Sequence, residues 1–261
     1  DITVGVVEVP REQAREFGVM TVNEENRILR FAEKPQEPES MPGREGMALA
    51  SMGIYVFNAR LLERLLVEDA ADASSKHDFG RNIIPKALEK LDVYAYPFTD
   101  VRTRAQSYWR DVGNVDAFYE SNMELVAIDP ELNLYDANWP IWTYQAQLPP
   151  AKFVLDEDGR RGLAINSMVA GGCIVSGASV SQTMLFSGVR VLERATVEQS
   201  VILPNVRIGR GCHIRRAVVD EDCDIPDGTS IGMDREADAA RFYITKKGVV
   251  LVTREMLRAA Q

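Results

Sequence analysis

Aliphatic residues recur at steps of five or six positions through the final part of the sequence. The steps are too short for a meander, whose turns recur about every 8–12 residues, and they do not follow a helical period. A repeat of this length is typical of a parallel β-helix, in which stacked turns bury one aliphatic side chain per face. An ordinary β-sandwich is the alternative. The repeat consists of Val169, Val175, Val180, Leu185, Val191, Val197, Leu203, Ile208, Ile214, Val219, Ile225 and Ile231.

The residues before about 130 predict a mixed α/β domain instead. Residues 2–9 are β-rich and mostly apolar, as expected of a central strand with a partner on both edges. Further strands are predicted at 18–22, 28–31 and 52–57, and helices after Asn58 and Asn114. We therefore divide the sequence into an α/β part at 1–130, a connector at 131–163 and a β-helix at 164–261.

Composition excludes several classes of protein. The formal net charge of −9 argues against a nucleic-acid surface, which needs a clustered positive field. No apolar run approaches the roughly 18 residues of a membrane span, so no membrane partner is expected. Cys173, Cys212 and Cys223 lack the spacing of a zinc site and only two histidines are present, so we expect buried, reduced thiols in a cytoplasmic protein.

Two segments carry candidate chemistry. Glu33 and Lys34 end a predicted strand before Pro35, where the lysine can meet a phosphate and the carboxylate can accept sugar hydroxyl hydrogens. The alternative is a solvated charge pair at a strand end. Asp111 lies between aromatic residues and a glycine before a predicted helix, where it can ligate Mg²⁺ or cap that helix.

The order of these segments resembles the bacterial ADP-glucose pyrophosphorylases. The Glu-Lys-Pro and Trp-Arg-Asp-Val-Gly segments recur across sugar nucleotidyltransferases, whereas the Ser-Met-Gly-Ile-Tyr-Val-Phe and His-Asp-Phe-Gly segments narrow the match to this family. The resemblance covers essentially the whole sequence. The matching segments are EFGVM at 16–20, FAEKP at 31–35, ASMGIYVF at 50–57, HDFG at 77–80, YWRDVG at 108–113, NS at 166–167 and GVVLVTRE at 248–255.

The resemblance implies a fold and an activity. The fold is part of a Rossmann-like nucleotidyltransferase domain followed by a left-handed parallel β-helix. The activity is that of a glucose-1-phosphate adenylyltransferase, which joins glucose 1-phosphate to ATP with Mg²⁺, yields ADP-glucose and pyrophosphate, and supplies glycogen synthesis. The family also implies a homotetramer that responds to a phosphorylated effector.

The resemblance also implies a role for each matching residue. Gly18, Glu33 and Ser51 would contact the glucose, and Lys34 would bind its phosphate. Asp111 would be a metal-binding aspartate and, with Lys34, a catalytic residue. The pocket around the sugar and the product would be lined by Tyr55, Asp78, Phe79 and Trp109.

Two departures from the family pattern set further expectations. The glycine-rich nucleotide loop of the family is absent, so we expect a C-terminal portion that does not catalyse alone. Arg254 and Arg258 match the family's regulatory basic residues, but Glu221 stands where relatives carry arginine and would repel a phosphorylated effector. The alternatives are a UTP- or dTTP-using enzyme, a non-catalytic regulatory subunit, and an acyltransferase using His213.

Overall fold

The computed structural model describes residues 1–100, 103 and 105–259. They form two compact units, unit 1 at Asp1–Trp109 and unit 2 at Arg110–Gln261. None of the helices in these described residues is long and apolar enough to cross a membrane.

Unit 1 is built on a sheet with the strand order β3-β2-β4-β1-β5. Strand β1 pairs antiparallel with β4 and parallel with β5, which confirms the prediction of a central strand with two partners. Side chains on both of its faces are buried, since packed layers cover the sheet on each side. The strands are β1 at Ile2–Pro10, β2 at Gly18–Val22, β3 at Ile28–Glu33, β4 at Met47–Phe57 and β5 at Val93–Pro97.

Helical segments cover the two faces of this sheet. One face packs on α1 (Ala59–Ala70) and α2 (Ile84–Leu88), and the other packs on a 3₁₀ turn at Gln13–Glu16. Helix α1 begins after Asn58 because the Asn58 side chain accepts a hydrogen bond from the Leu61 backbone N–H at 3.4 Å. A π-helical segment, Phe79–Ile83, leads directly into α2.

Three elements of unit 1 differ from the sequence prediction. Strand β4 begins at Met47 rather than at residue 52, since the small residues Ala48 and Ala50 fill the narrow space against β1 and β2. Strand β5 and the π-helical segment with α2 were not predicted. Their sequences lack the long apolar periodicity that identifies an element from sequence alone.

Unit 2 contains a parallel β-helix, which confirms the fold predicted from the repeat. Its strands pair in parallel from rung to rung, whereas a β-sandwich is built from antiparallel pairs. The exception is the antiparallel pair β20–β21 at the end. The strands are Lys152–Val154 (β6), Leu163–Ile165 (β7), Met168–Val169 (β8), Ile174–Ser176 (β9), Ser179–Ser181 (β10), Met184–Leu185 (β11), Arg190–Val191 (β12), Thr196–Glu198 (β13), Val201–Ile202 (β14), Arg207–Ile208 (β15), His213–Arg215 (β16), Ala217–Val219 (β17), Asp224–Ile225 (β18), Ser230–Ile231 (β19), Tyr243–Ile244 (β20) and Val250–Val252 (β21).

The described residues of unit 2 also contain three helices. Helix α3 (Val115–Leu125) packs on the sheet that contains β14 and β17, with Tyr119 buried against Val201 and Val218. Its first residue follows Asn114, whose side chain accepts a hydrogen bond from the Ala117 backbone N–H at 2.9 Å. Asn114 is therefore the capping residue, and the alternative that Asp111 caps this helix is wrong. The other helices are α4 (Arg235–Ala239) and α5 (Arg254–Ala259).

The predicted aliphatic repeat forms the buried rows of the β-helix, with one correction. Val180, Val197 and Ile214 stack in register on successive rungs, and residues 17 positions apart face each other. The inward residue between Val197 and Ile208 is Ile202, which is fully buried, and not Leu203. Leu203 instead packs with the α3 cluster, because a rung of 17 residues contains a five-residue step at this corner.

A row of hydroxyl groups runs beside one corner of the β-helix. Thr183 and Ser200 are both fully buried. The Thr183 hydroxyl donates to the Ser181 carbonyl at 2.8 Å and accepts from the Ser200 backbone N–H at 3.3 Å. The Ser200 hydroxyl then accepts from the Ala217 N–H at 3.2 Å. Each hydroxyl therefore satisfies a buried backbone donor that the parallel ladder does not reach.

This row predicts a specific cost for an isosteric substitution. Thr183→Val keeps the side-chain shape but leaves the buried Ser200 N–H without an acceptor, so we expect a loss of about 1–3 kcal/mol in the free energy of unfolding. Thr196→Val, at a partly exposed position of the same β-helix, should cost less than about 1 kcal/mol. Urea unfolding of both variants checks this, and equal losses would contradict the role of the row.

Candidate active site

The Glu33–Lys34 pair lies at the end of β3, where the chain turns sharply. Lys34 adopts a left-handed backbone conformation with φ of 48°, and its N–H donates to the Phe17 carbonyl at 2.9 Å. A non-glycine residue in this region costs about 1–2 kcal/mol, which the surrounding structure must offset. The turn leaves the Lys34 side chain exposed while Glu33 stays partly buried on the sheet.

Two glycines leave room for the Glu33 carboxylate. Gly18 pairs with Glu33 in the sheet, and a β-carbon there would lie 2.9 Å from Glu33 Oε2 and 2.5 Å from Phe31 Cζ. A β-carbon at Gly80 would lie 2.6 Å from the same Glu33 oxygen. Any side chain at either position would displace the carboxylate. Glu33 is therefore confined between the start of β2 and the π-helical segment.

The charges around Glu33 are mixed. Burial raises the pKa of the Glu33 carboxyl above its ordinary value, and the negative charge of Asp78 raises it further. Lys34 and Arg81 act in the opposite direction. Asp78 is held in place because its Oδ1 accepts a hydrogen bond from the Arg81 N–H at 2.8 Å. Two carboxylates flanked by two cations form a site suited to sugar hydroxyls, which donate to carboxylate oxygens, and to an anionic group.

An aromatic wall stands beside these carboxylates. The rings of Tyr55 and Phe79 stack with centroids 5.5 Å apart, and Phe57 packs against both. Burial raises the pKa of Tyr55, which outweighs the opposing hydrogen bond with Ser51, so the phenol is neutral at pH 7. The nearly buried Ser51 hydroxyl also accepts from the Gly53 N–H at 3.1 Å. A stacked wall with two hydroxyls suits a sugar ring, which has apolar faces and polar edges.

The structure therefore brings most of the predicted sugar-site residues together in unit 1, but Trp109 lies elsewhere in that unit. Trp109 packs edge to face on Phe17 with ring centroids 5.6 Å apart. It joins the core on the sheet face that contains Val7 and Val19, whereas Tyr55 joins the core on the opposite face. The residues gathered around Glu33 are Gly18, Lys34, Ser51, Tyr55, Asp78 and Phe79.

Asp111, in unit 2, is an exposed carboxylate at the start of the loop before α3. Its two oxygens lie 3.2–3.3 Å from the position that a β-carbon would take at Gly113. Within the described residues, no three His, Cys, Asp or Glu side chains cluster to hold a metal. Mg²⁺ is commonly bound by one or two carboxylates together with water and substrate phosphates, so a single exposed Asp111 fits that ion.

The predicted regulatory residues lie in α5 of unit 2. Arg254 and Arg258 are both exposed, and Arg254 Nη1 lies 3.7 Å from Asp222 Oδ2. Glu221 is exposed beside Asp222. The basic residue Arg216 donates to the Lys247 carbonyl at 3.0 Å. The acidic pair 221–222 thus places negative charge next to the basic α5.

Gly80 and Arg81 are site residues to which sequence reasoning gave no role. Gly80 stands in the His-Asp-Phe-Gly segment, but its contact with Glu33 depends on a long-range approach that spacing does not reveal. Arg81 follows that segment directly and acts on Glu33 as a cation. The π-helical geometry of this segment indicates a functional site, because π-helical turns are rare in proteins overall but often occur at functional sites.

Comparison with known families defines the class of protein. Residues 1–127 match the family model described as nucleotidyl transferase. Residues 149–252 match the model described as GlmU-like, C-terminal hexapeptide, in keeping with a left-handed parallel β-helix. The fold and the site therefore define a nucleotidyltransferase unit joined to a hexapeptide-repeat unit.

Individual relatives narrow this class. The glucose-1-phosphate adenylyltransferase of Nitrosococcus oceani is 55% identical over 258 residues, which cover 98% of this chain and 61% of that protein. That of Teredinibacter turnerae is 57% identical over 259 residues, covering 98% of this chain and 62% of the relative. The chain is thus similar over nearly its whole length to glucose-1-phosphate adenylyltransferases, and it spans about three fifths of the length of these relatives.

The confinement of Glu33 predicts a stability gain on neutralisation. Because the folded state raises the pKa of Glu33, ionisation costs stability as pH rises through that pKa, and the cost vanishes below the unfolded value of about 4.3. Glu33→Gln should therefore raise the unfolding free energy at pH 7, by less than about 1 kcal/mol because solvent screens this partly exposed group.

Urea unfolding at pH 7 and near pH 4 checks this, with the gain expected to shrink at the lower pH. Glu37→Gln, at an exposed glutamate of the following loop, is the matched control and should leave stability unchanged at both values. A loss of stability in Glu33→Gln at pH 7 would show that the carboxylate is not strained by its surroundings.

Proposed function

We propose that the whole protein is a glucose-1-phosphate adenylyltransferase that converts ATP and glucose 1-phosphate into ADP-glucose and pyrophosphate. The observation that carries this proposal is the convergence of Glu33, Asp78, Ser51 and Tyr55 next to the exposed cation of Lys34. Such a site offers acceptors for sugar hydroxyls, a wall for the ring and a cation for the phosphate. The relatives from Nitrosococcus oceani and Teredinibacter turnerae are glucose-1-phosphate adenylyltransferases by name.

The residues of the site bind and orient the sugar phosphate. Lys34 holds the phosphate, Glu33 and Asp78 accept hydrogen bonds from the sugar hydroxyls, and Tyr55 and Phe79 pack on the ring. An oxygen of the sugar phosphate attacks the α-phosphorus of ATP in line, a new P–O bond forms, and the bond to the leaving pyrophosphate breaks. Positioning and charge neutralisation account for most of the rate enhancement in such a transfer.

Asp111 is the residue that would hold Mg²⁺, with substrate phosphates and water as further ligands. When bound, Mg²⁺ neutralises charge that develops on the transferred and leaving phosphates. The chain contributes the exposed carboxylate of Asp111 in the loop before α3, and the Asn114 cap holds the start of that helix.

The assembly, regulation and location of the protein extend the proposal. We expect a homotetramer that supplies glycogen synthesis, and three buried, free cysteines support a reducing compartment such as the cytoplasm. Arg254 and Arg258 are the candidate contacts for a phosphorylated effector. The negative charge of Glu221 opposes such an effector, so we expect a weak response to one.

Nucleotide preference tests the activity. Pyrophosphate release from glucose 1-phosphate should be strong with ATP and at least tenfold weaker with UTP, dTTP or GTP, measured on the full-length protein. Preference for UTP or dTTP would retain the chemistry and overturn the ADP-glucose product. No release with any nucleotide would favour a non-catalytic regulatory subunit.

Two substitutions separate binding from catalysis. Lys34→Ala should raise the KM for glucose 1-phosphate at least tenfold with a smaller effect on kcat, since it removes a ground-state phosphate contact. Asp111→Asn should mainly lower kcat, by about 100-fold or more, because it weakens a metal site. Lys90→Ala, at an exposed lysine of unit 1, is the control and should behave like the parent. Parent-like kinetics in Lys34→Ala and Asp111→Asn would refute these roles.

A further inference from the structure

A buried carboxylate lies near the end of helix α1, outside the sugar-site residues. Asp69 is 6% exposed and is the second-last residue of that helix. Its Oδ1 accepts a hydrogen bond from the Ser75 hydroxyl at 2.6 Å, and its Oδ2 accepts from His77 Nδ1 at 2.8 Å. Both oxygens of one carboxylate therefore bind the loop at residues 75–78. The hydrogen bond to a carboxylate assigns the proton to Nδ1 of His77.

The position of Asp69 is unfavourable for the helix itself. The carboxyl end of a helix carries a partial negative charge, so an acidic side chain in the last turn destabilises it. A buried, unprotonated carboxylate also loses its hydration. The hydrogen bonds from Ser75 and His77 hold the pKa of Asp69 below its ordinary value and offset these costs. Asp69 thus acts on the loop rather than on the helix.

The loop bound by Asp69 continues directly into the candidate site. The Ser75 hydroxyl also accepts from the His77 N–H at 3.0 Å, and His77 adopts a left-handed φ of 55°. The next residue is Asp78, which caps the π-helical segment and raises the pKa of Glu33. After it comes Phe79, which stacks on Tyr55. The strained turn at His77 therefore sets the direction in which Asp78 and Phe79 leave the loop.

We infer that Asp69 is a positioning residue that fixes the 75–78 loop and so sets Asp78 and Phe79 against Glu33 and Tyr55. This inference rests on the proposed function, since it assigns these four residues to the glucose 1-phosphate site. Asp69 acts through the loop and does not itself contact the sugar phosphate. Loss of Asp69 therefore weakens the binding of glucose 1-phosphate and leaves the binding of ATP unchanged.

The kinetic test uses the full-length protein. Asp69→Asn replaces a double acceptor by an amide with one acceptor oxygen, so one of the two loop contacts is lost. We expect the KM for glucose 1-phosphate to rise about tenfold, with the KM for ATP unchanged within twofold. Ser75→Ala should raise the same KM about threefold, because the His77 contact remains. Asp69→Glu should recover part of the affinity.

The matched control is Asp72→Asn. Asp72 lies three residues further on, and its side chain accepts hydrogen bonds from Ser74 and Lys86. Its backbone carbonyl accepts from the Ser75 N–H at 3.0 Å, a contact that the substitution keeps. The Asp72→Asn substitution should leave the KM for glucose 1-phosphate and the KM for ATP unchanged. If Asp69→Asn is folded and its KM for glucose 1-phosphate stays within twofold of the parent, or if both KM values rise equally, the inference is wrong.

Hydrogen exchange separates failure of the inference from failure of the proposed function. In Asp69→Asn, amides of residues 75–83 should exchange at least tenfold faster, while those of β1 and β4 keep their protection. Unchanged exchange at 75–83 would overturn the positioning role even if the parent releases no pyrophosphate. A parent that shows no turnover, together with faster exchange in Asp69→Asn, would retain the loop-fixing role and reject the assignment of the loop to a sugar-phosphate site.

Discussion

The Glu33 carboxylate occupies a space that exists because Gly18 and Gly80 carry no side chains. That confinement ties three elements of unit 1 together: β2 supplies one glycine, the π-helical segment supplies the other, and β3 supplies the acid. Burial raises the pKa of Glu33, so the carboxylate is kept in a place that favours its protonated form. A fold that retains such a group at a cost in stability is expected where the group binds a ligand, since perturbed carboxyls concentrate at functional sites. The turn at Lys34 adds a second cost at the same point, because its left-handed backbone directs the cation outward while Glu33 remains on the sheet.

Unit 2 is stabilised by the regular stacking of its β-helix rungs. From Ser179 onward its rungs repeat every 17 residues, so branched side chains such as Val197 and Ile214 stack directly on one another and form an apolar interior. The same period places hydroxyls such as those of Thr183 and Ser200 at one corner, where they complete the hydrogen bonding of buried backbone groups. A rigid stack of this kind gives α3 a flat apolar surface to pack on, with Tyr119 donating from its hydroxyl to the Gln199 carbonyl at 2.7 Å. The loop of Asp111 precedes α3, and the basic residues of α5 follow the last strand of the stack.

Much of this arrangement could be predicted from the sequence. The β-helix follows from a period that no helix or meander shares, and the strand at β1 follows from its apolar run. The prediction failed by one position at Leu203, because the steps of five and six residues are not distributed evenly and Ile202 is equally aliphatic. Elements such as α2 and β5 were missed because they are short and gain their stability from the sheet rather than from local propensity. Glu33, Lys34 and Asp111 were candidates from the sequence pattern, and the other site residues were found through a resemblance, but the relative placement of all of them was not predicted. Only the three-dimensional contacts show that Gly80 adjoins Glu33 and that Trp109 joins the opposite core.

A crystal structure of the protein with glucose 1-phosphate bound would show directly where the sugar phosphate lies. We expect the sugar hydroxyls within hydrogen-bonding distance of the carboxylate oxygens of Glu33, and the phosphate in contact with the amino group of Lys34. The ring should pack on the wall formed by Tyr55 and Phe79. A sugar phosphate bound elsewhere in the protein, with Glu33 and Lys34 making no contact with it, would contradict the account.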